Sequence, residues 1–302
     1  MVIDCIGACL ALLPGRPHNR APSRARMRNA MDRYAVVGQP VAHSLSPQIH
    51  AAFAEQVGAE LRYEAIEAPL EGFAATITDL FDRGYRGVNV TVPFKGEACT
   101  FAHEVDPAAA RAEAANTLRV EADGRTTAFT TDGVGLVRDL LDHQGVDPHE
   151  AVTVLLGAGG AAAGVIEPLL AAGVAELVVA NRTQARADAL VARFADLGPV
   201  RAVGLDALPR ADLVINATAA SLDGQAIPVS AGAVHGGTFV YDMMYGPKAR
   251  PFLAHCSGLG IRGTADGLGM LVEQAASAFE LWRGVRPRTA PVLASLRASM
   301  ND

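Results

Sequence analysis

Ala151-Val152-Thr153-Val154-Leu155-Leu156-Gly157-Ala158-Gly159-Gly160-Ala161-Ala162 is the stretch that decides the fold. Its apolar half reads as a strand buried on both faces. The chain then passes through a glycine turn, Gly157 to Gly160, into a helix expected over 161–172, and a second strand follows at 176–180. This is a G-x-G-x-x-A form of the dinucleotide fingerprint in its required strand–turn–helix–strand setting. Gly157 allows the tight turn, Gly159 lets a pyrophosphate approach the backbone, and Ala162 keeps the helix close to the sheet. Free N–H groups and the helix dipole favour phosphates at that helix start.

The end of the second strand reads the ribose. A site for NAD usually places Asp or Glu there, to hold the ribose hydroxyls. This chain has Asn181-Arg182-Thr183-Gln184-Ala185-Arg186, with no carboxylate. Planar arginine donor forks suit a phosphate, so Arg182, Thr183 and Arg186 point to a 2′-phosphate and to NADP as cofactor.

Upstream, strands and helices alternate. Strands are expected at 34–38 and 61–66. Helices are expected at 47–57, with Ser46 as N-cap and Pro47 at the first helical position, and at 70–83, ended by Gly84. Gly87-Val88-Asn89-Val90-Thr91-Val92-Pro93-Phe94-Lys95 then reads as a short buried strand, Val88 to Val92, stopped by Pro93. Asn89 and Thr91 leave it on one face, and Lys95 sits just past its end, where a scaffold can aim it into a cleft. Alternation of this kind predicts a mostly parallel sheet covered on both faces. A helix over 133–143 bridges into the second domain. Further strands are expected at 213–218 and 239–245. Asp266 to Met270 leads into a helix over 271–282 that carries Gln274.

Composition narrows the function classes. At 302 residues with half of them hydrophobic, the chain suits two α/β domains. A net charge of −6 and the lack of a basic stripe in the foldable part argue against a nucleic-acid partner. No apolar run reaches the roughly 18 to 20 residues that a membrane span needs. Cys5, Cys9, Cys99 and Cys256 show no metal spacing and read as reduced thiols, and no other cluster suggests a metal. Residues 1–30 lack periodicity and carry a Pro/Arg-rich segment; they read as a disordered extension or a misassigned start, with Met27 or Met31 as the first residue.

The chain resembles the bacterial shikimate dehydrogenases. The resemblance rests on Ala42-His43-Ser44-Leu45-Ser46-Pro47, Asn89 to Lys95, Ala115-Asn116-Thr117 and Thr131-Asp132-Gly133. It continues through Gly157 to Ala161, Asn181-Arg182-Thr183, Asn216-Ala217-Thr218, Tyr241-Asp242-Met243 and Ala265 to Met270. It implies two α/β domains with the active site in a cleft between them. Residues 34–131 and 268–302 would bind substrate, and 132–267 would form a Rossmann domain for NADP. It further implies reversible NADPH-dependent reduction of 3-dehydroshikimate to shikimate, on the route to chorismate and aromatic amino acids, by a cytoplasmic monomer or homodimer.

The resemblance also assigns roles. Lys95 and Asp132 match the catalytic pair. Ser44, Ser46 and Tyr245 match residues that hold the substrate carboxylate; Thr91, Asn116, Asp132 and Gln274 match those that bind the ring hydroxyls. Gly157, Ala158, Gly159, Gly160, Ala161, Asn181, Arg182, Thr183, Arg186, Thr218, Met243 and Gly267 match the cofactor site. His43, beside the serines, reads as a loop residue. The chain departs from many relatives at Thr130, where asparagine is common, and at Ala219 and Ala220, where serines are common. Two alternatives stay open: a quinate/shikimate dehydrogenase of broader specificity, and a non-catalytic sensor of shikimate and dinucleotide. Retention of Lys95 and Asp132 argues against the sensor.

Overall fold

A computed structural model describes residues 31–218 and 229–301 of the chain. The extension read at 1–30, and the departures at Ala219 and Ala220, lie outside the described residues.

Among the described residues two six-stranded sheets organise the fold. The first contains β1 (Asp32–Gly38), β2 (Leu61–Glu67), β3 (Tyr85–Val90), β4 (Glu104–Val105), β5 (Thr117–Val120) and β6 (Thr126–Phe129), in the order β2-β1-β3-β5-β6-β4. β1 pairs in parallel with β2 and β3, as the alternation of strands and helices implies. β5 runs antiparallel to β3 and β6. The β5–β6 pairing has a local cause: the two strands are joined by a tight turn in which Gly124 takes a φ of +86° and Glu121 and Arg125 bond across it. Helices α1 (Ser46–Val57), α2 (Phe73–Asp82), α3 (Lys95–Phe101) and α4 (Pro107–Ala112) belong to this half.

β3 closes at Val90 rather than running to Val92. Phe94 N–H already bonds the Thr91 carbonyl at 3.0 Å, so the turn that delivers Lys95 begins one residue after the strand. α2 starts later than periodicity suggests, because Gly72 bonds back to Pro69 in a turn before the helix begins.

α5 (Asp132–Arg138) leaves β6, runs on as a π-helical turn over Asp139–His143, and leads to the second sheet. That sheet contains β7 (Val152–Leu156), β8 (Glu176–Ala180), β9 (Val200–Val203), β10 (Leu213–Asn216), β11 (Phe239–Asp242) and β12 (Gly263–Asp266). Its order is β12-β11-β10-β7-β8-β9 and every pairing is parallel. The chain winds outward from β7 one way, then from β10 the other. Ligands bind at such a switch point, beyond the carboxyl ends of the strands. Helices α6 (Gly160–Ala171), α7 (Gln184–Ala192) and α8 (Arg250–Ser257) complete this half.

α9 (Leu268–Arg283) returns the chain to the first sheet. The Trp282 indole N–H donates to the Leu118 carbonyl of β5 at 3.0 Å, and its ring stacks on Tyr34 of β1. Arg119 bonds the Leu281 carbonyl, and Arg283 pairs with Asp32. α9 also shares an apolar core with α1 and α10 (Ala290–Asn301), formed by Ile49, Phe53, Val272, Phe279, Val292 and Leu296. Among the described residues no helix is long and apolar enough to cross a membrane.

Beneath α9 the packing leaves no slack. Asp139 is fully buried in the π-helical turn, where it accepts bonds from the Tyr241 hydroxyl and from Gln144. A Cβ on Gly269 would lie 2.0 Å from an Asp139 carboxylate oxygen. Gly269→Ala should therefore destabilise the protein by about 1–3 kcal/mol, as overpacking does. A urea midpoint equal to that of the unaltered protein would contradict this.

His50 gives a pH test. It is buried on α1 and stacks on Tyr63, with ring centroids 4.1 Å apart. Burial lowers its pKa to about 3, against a smaller opposing effect of Asn89. Between about pH 6.5 and 3 the unfolded chain binds a proton that the folded chain refuses, so stability falls as the pH drops through that window. His50→Phe, which keeps the stacking, should flatten this acid slope by up to about 1.4 kcal/mol per pH unit. An unchanged slope of unfolding free energy against pH would show that other groups set it.

Candidate active site

Lys95 is the first residue of α3, placed by the turn out of β3. Asp132 opens α5 directly after β6. β5 lies between these two strands, so two distant segments meet: Lys95 Nζ donates to Asp132 Oδ2 at 2.5 Å. The side chains are only 17% and 9% exposed, so the pair is shielded from water without being sealed off. Attraction at this distance is far stronger than between solvated charges.

Asn116, just before β5, donates from Nδ2 to Asp132 Oδ1 at 2.9 Å and to Gln274 Oε1 at 3.1 Å. Gln274 projects from α9, and its own amide N–H is tied to the Leu271 carbonyl at 2.9 Å. Four residues singled out from the sequence, Lys95, Asn116, Asp132 and Gln274, thus form one hydrogen-bonded group. Thr131, which the sequence reading left out, joins them through its hydroxyl at 2.9 Å from Asn116 Nδ2. Thr91 lies half-buried in the turn just before Lys95, with its methyl against Gly38.

The serines occupy the loop before α1. The expected cap is corrected here: Leu45, not Ser46, holds the N-cap position, and Ser46 is the first helical residue. Its side chain turns inward and is 5% exposed. The orphan N–H of Ser46 is taken instead by Ser44 Oγ at 3.2 Å. That bond uses a lone pair of Ser44 and leaves its hydroxyl proton free to donate to an anion. Tyr245, past the end of β11, hydrogen-bonds the backbone of Leu45, and burial raises its pKa, so it stays a neutral donor. Tyr245 thus meets the Ser44–Ser46 segment at Leu45 from a distant part of the chain. His43 is exposed in the preceding turn.

The floor between the serines and Asp132 was not legible as a site. Tyr63 on β2 donates to Asn89 Oδ1 at 2.7 Å, and its phenol also contacts Ser46. Asn89 Nδ2 reaches Thr117 Oγ1 at 3.0 Å. The available signals were the alternation of Asn89 with Thr91, and Thr117 beside Asn116.

The glycine turn fits a dinucleotide. Gly157 has a φ of +113°, which favours glycine. A Cβ on Gly157 would press on Thr218 and Ala217, whereas Gly159 faces open space. A Cβ on Gly160 would stand 3.9 Å from Lys95 Cβ, so the turn and the Lys95–Asp132 pair are neighbours. Ala158 lies in the turn, and Gly160 and Ala161 open α6. Asn181 Nδ2 bonds the Thr183 carbonyl at 2.9 Å, shaping the loop at the end of β8. Arg182, Thr183 and Arg186 are exposed there, and neither arginine forms an ion pair among the described residues. Thr218 is tied to Asn216 by its N–H and its hydroxyl, and Gly267 lies against the Met243 backbone so closely that a side chain would collide at 2.3 Å.

Known proteins resemble this chain over most of its length. The chain matches the models "Shikimate dehydrogenase substrate binding domain" over residues 36–118 and "Shikimate / quinate 5-dehydrogenase" over 140–223. It also matches "Shikimate 5'-dehydrogenase C-terminal domain" over 267–297. It is 52% identical over 269 residues to the shikimate dehydrogenase (NADP(+)) of Thioalkalivibrio sulfidiphilus, covering 88% of this chain and 98% of that protein. It is 52% identical to the protein of the same name from Methylobacillus flagellatus, covering 89% and 100%. Its fold is similar to the crystal structure of shikimate 5-dehydrogenase from Thermus thermophilus in complex with NADP(H) and shikimate. The TM-score is 0.79 at 36% identity, over 89% of this chain and 99% of that one.

Proposed function

The chain belongs to the shikimate dehydrogenase family, and from that premise we propose that it catalyses the reversible NADPH-dependent reduction of 3-dehydroshikimate to shikimate. The observation that carries the reading is the Lys95–Asp132 ion pair, hydrogen-bonded to Asn116 and set beside the dinucleotide turn at Gly160. Residues 34–131 and 268–302 form the substrate-binding part, and 132–267 the cofactor-binding part. The reaction takes place in the cytoplasm.

The substrate is a small ring with one carboxylate and several hydroxyls. Ser44, Ser46 and Tyr245 hold the carboxylate at one end with neutral donors. Thr91, Asn116 and Gln274 bind the ring hydroxyls, and the two amides offer both donors and acceptors for this. Gly157 to Ala161 receive the pyrophosphate at the start of α6, and Asn181, Arg182, Thr183 and Arg186 receive the 2′-phosphate. Thr218, Met243 and Gly267 line the remaining part of the dinucleotide. When bound, NADPH supplies the hydride.

The protein supplies the proton and the field. As the ring ketone is reduced, negative charge builds on its oxygen, and the Lys95 ammonium lowers the barrier by facing that charge and donating a proton. Asp132 keeps the ammonium aimed. In the reverse direction Lys95 takes the proton from the ring hydroxyl.

Shikimate and quinate, each with NADP and NAD, followed at the nicotinamide absorbance, test the reading. Shikimate with NADP should be the preferred pair; no turnover of shikimate with either cofactor would sink the proposal.

Arg182→Ala with Arg186→Ala should raise the KM for NADP at least about tenfold more than that for NAD, in line with the loss of charge-assisted bonds to a phosphate. Equal effects on both cofactors would mean that these arginines do not read the 2′-phosphate. Lys95→Ala should lower kcat by about 10²-fold or more, with little change in cofactor affinity. Asp132→Asn should behave similarly, because it removes the charge partner but keeps the shape. Ser44→Ala should instead raise the KM for shikimate with a smaller loss in kcat. If Lys95→Ala kept near-normal kcat and only weakened shikimate binding, Lys95 would be a binding residue.

A further inference from the structure

Thr117 is buried completely at the start of β5, so it cannot touch a substrate. It nonetheless links two asparagines whose orientations are fixed by backbone groups. Asn89 Nδ2 donates to the Asn116 carbonyl at 3.2 Å, an acceptor only, so the Asn89 amide cannot be turned round. Its oxygen therefore faces Tyr63, whose hydroxyl donates to it at 2.7 Å. Asn89 Nδ2 also donates to Thr117 Oγ1 at 3.0 Å. The threonine proton is thereby directed to Asn116 Oδ1, also at 3.0 Å. Asn116 is fixed in the same way: the Thr131 N–H donates to its Oδ1 at 2.9 Å. Its Nδ2 must then face Asp132 Oδ1, at 2.9 Å. Every proton in the series Tyr63, Asn89, Thr117, Asn116 points one way, and the series ends on a carboxylate.

We propose that Thr117 is a positioning residue for the reaction, the middle link of a one-directional chain of donors that holds Asp132 in the orientation that pairs with Lys95. The inference rests on the catalytic reading of Lys95 and Asp132. Hydrogen bonds in series polarise one another in a site of low dielectric, so a link two bonds from the carboxylate still strengthens the last one. Asp132 has two oxygens to satisfy. Asn116 occupies Oδ1, which leaves Oδ2 to the ammonium and stops the carboxylate from swinging between partners. The far end of the chain contacts Ser46 through the Tyr63 phenol. The same series thus runs under the substrate site from the carboxylate-binding end to the reacting end.

Thr117→Val separates positioning from folding. Valine fills the same volume, and neither neighbour is orphaned: Asn89 Nδ2 keeps the Asn116 carbonyl, and Asn116 Oδ1 keeps the Thr131 N–H. With the full chain, shikimate and NADP, kcat should fall about tenfold, as for loss of one bond to a charged network. The KM values for both substrates should stay within about twofold, since Asn116 loses one bond but is still held by the Thr131 N–H and by Asp132. Thr117→Ser, which retains the hydroxyl, should recover most of the loss. In an Asp132→Asn background Thr117→Val should cost nothing further. Tyr63→Phe, at the far end of the series, should lower kcat in the same sense by about threefold, a weaker effect transmitted through more links. The proposal is overturned if Thr117→Val keeps kcat within twofold, if Thr117→Ser is as impaired as Thr117→Val, or if the loss multiplies with that of Asp132→Asn. Should Thr117→Val not fold, Tyr63→Phe decides, and an unchanged kcat overturns the proposal. Absence of shikimate turnover by the unaltered protein would overturn the reaction assignment and this inference with it; an active unaltered protein with an unaffected Thr117→Val overturns the inference alone.

Discussion

The Lys95–Asp132 ion pair is the contact on which the rest of the structure depends. Its two residues begin different helices, α3 and α5, which follow the strands on either side of β5. Taking two charges largely out of water is costly, and the attraction offsets that cost only when the geometry is good and the remaining lone pairs are satisfied. Here Asn116 satisfies Asp132 Oδ1 and Lys95 satisfies Oδ2. Losing either member of the pair strands a shielded charge. The fold therefore has a strong reason to keep the two together, and chemistry at the pair inherits an arrangement already formed before any substrate arrives.

Close backbone approach makes that arrangement possible. Asp132 is followed by Gly133, where a Cβ would lie 2.4 Å from the Gly164 carbonyl of α6. Gly135, one turn along, faces Gln274 of α9 at a spacing that would leave a Cβ 2.8 Å from the Gln274 backbone nitrogen. α5 is thus pressed between the helix that follows the dinucleotide turn and the helix that returns to the first sheet. The same contacts that pack α5 bring Gly160 toward Lys95, and Gln274 toward Asn116. The glycine turn, Asp132 and Gln274 share one framework of three helices. A displacement of α5 would misplace all three at once.

How much of this the sequence disclosed depends on whether a feature is local. The glycine turn, the strands around it and the placement of Lys95 after β3 were legible because each rests on a run of consecutive residues. The reversal of β5 was missed, although Asp123-Gly124 offers a turn signal, because the alternation of strands and helices upstream suggested only parallel pairing. Ser46 was misread as a cap because a serine before proline at a helix start has two ways to use its hydroxyl, and here the side chain turns inward rather than back over the helix start. Asp139 with Tyr241 carried no signal: a buried carboxyl bonded to a buried phenol from another strand leaves no period or spacing to read. Lys95, Asp132, Asn116 and Gln274 were named from the family resemblance, but their mutual bonds come from sheet register and helix contact.

The distribution of charge divides the labour of the site. Arg182 and Arg186 are exposed, where a mobile guanidinium can meet an incoming phosphate without first being stripped of water. Charges so placed attract from a distance but are screened by salt, which suits capture and discrimination of a soluble cofactor. Lys95 and Asp132 are shielded, and in the proposed reaction a charge so placed lowers the barrier because its surroundings need not reorganise. The end proposed for the substrate carboxylate differs from both, with hydroxyls at Ser44 and Ser46 and a phenol at Tyr245 in place of a cation. Neutral donors there can hold a small anion without setting a second positive charge in competition with Lys95 for Asp132. In the proposed reaction the Lys95 ammonium then stays committed to its carboxylate partner and to the oxygen on which charge develops.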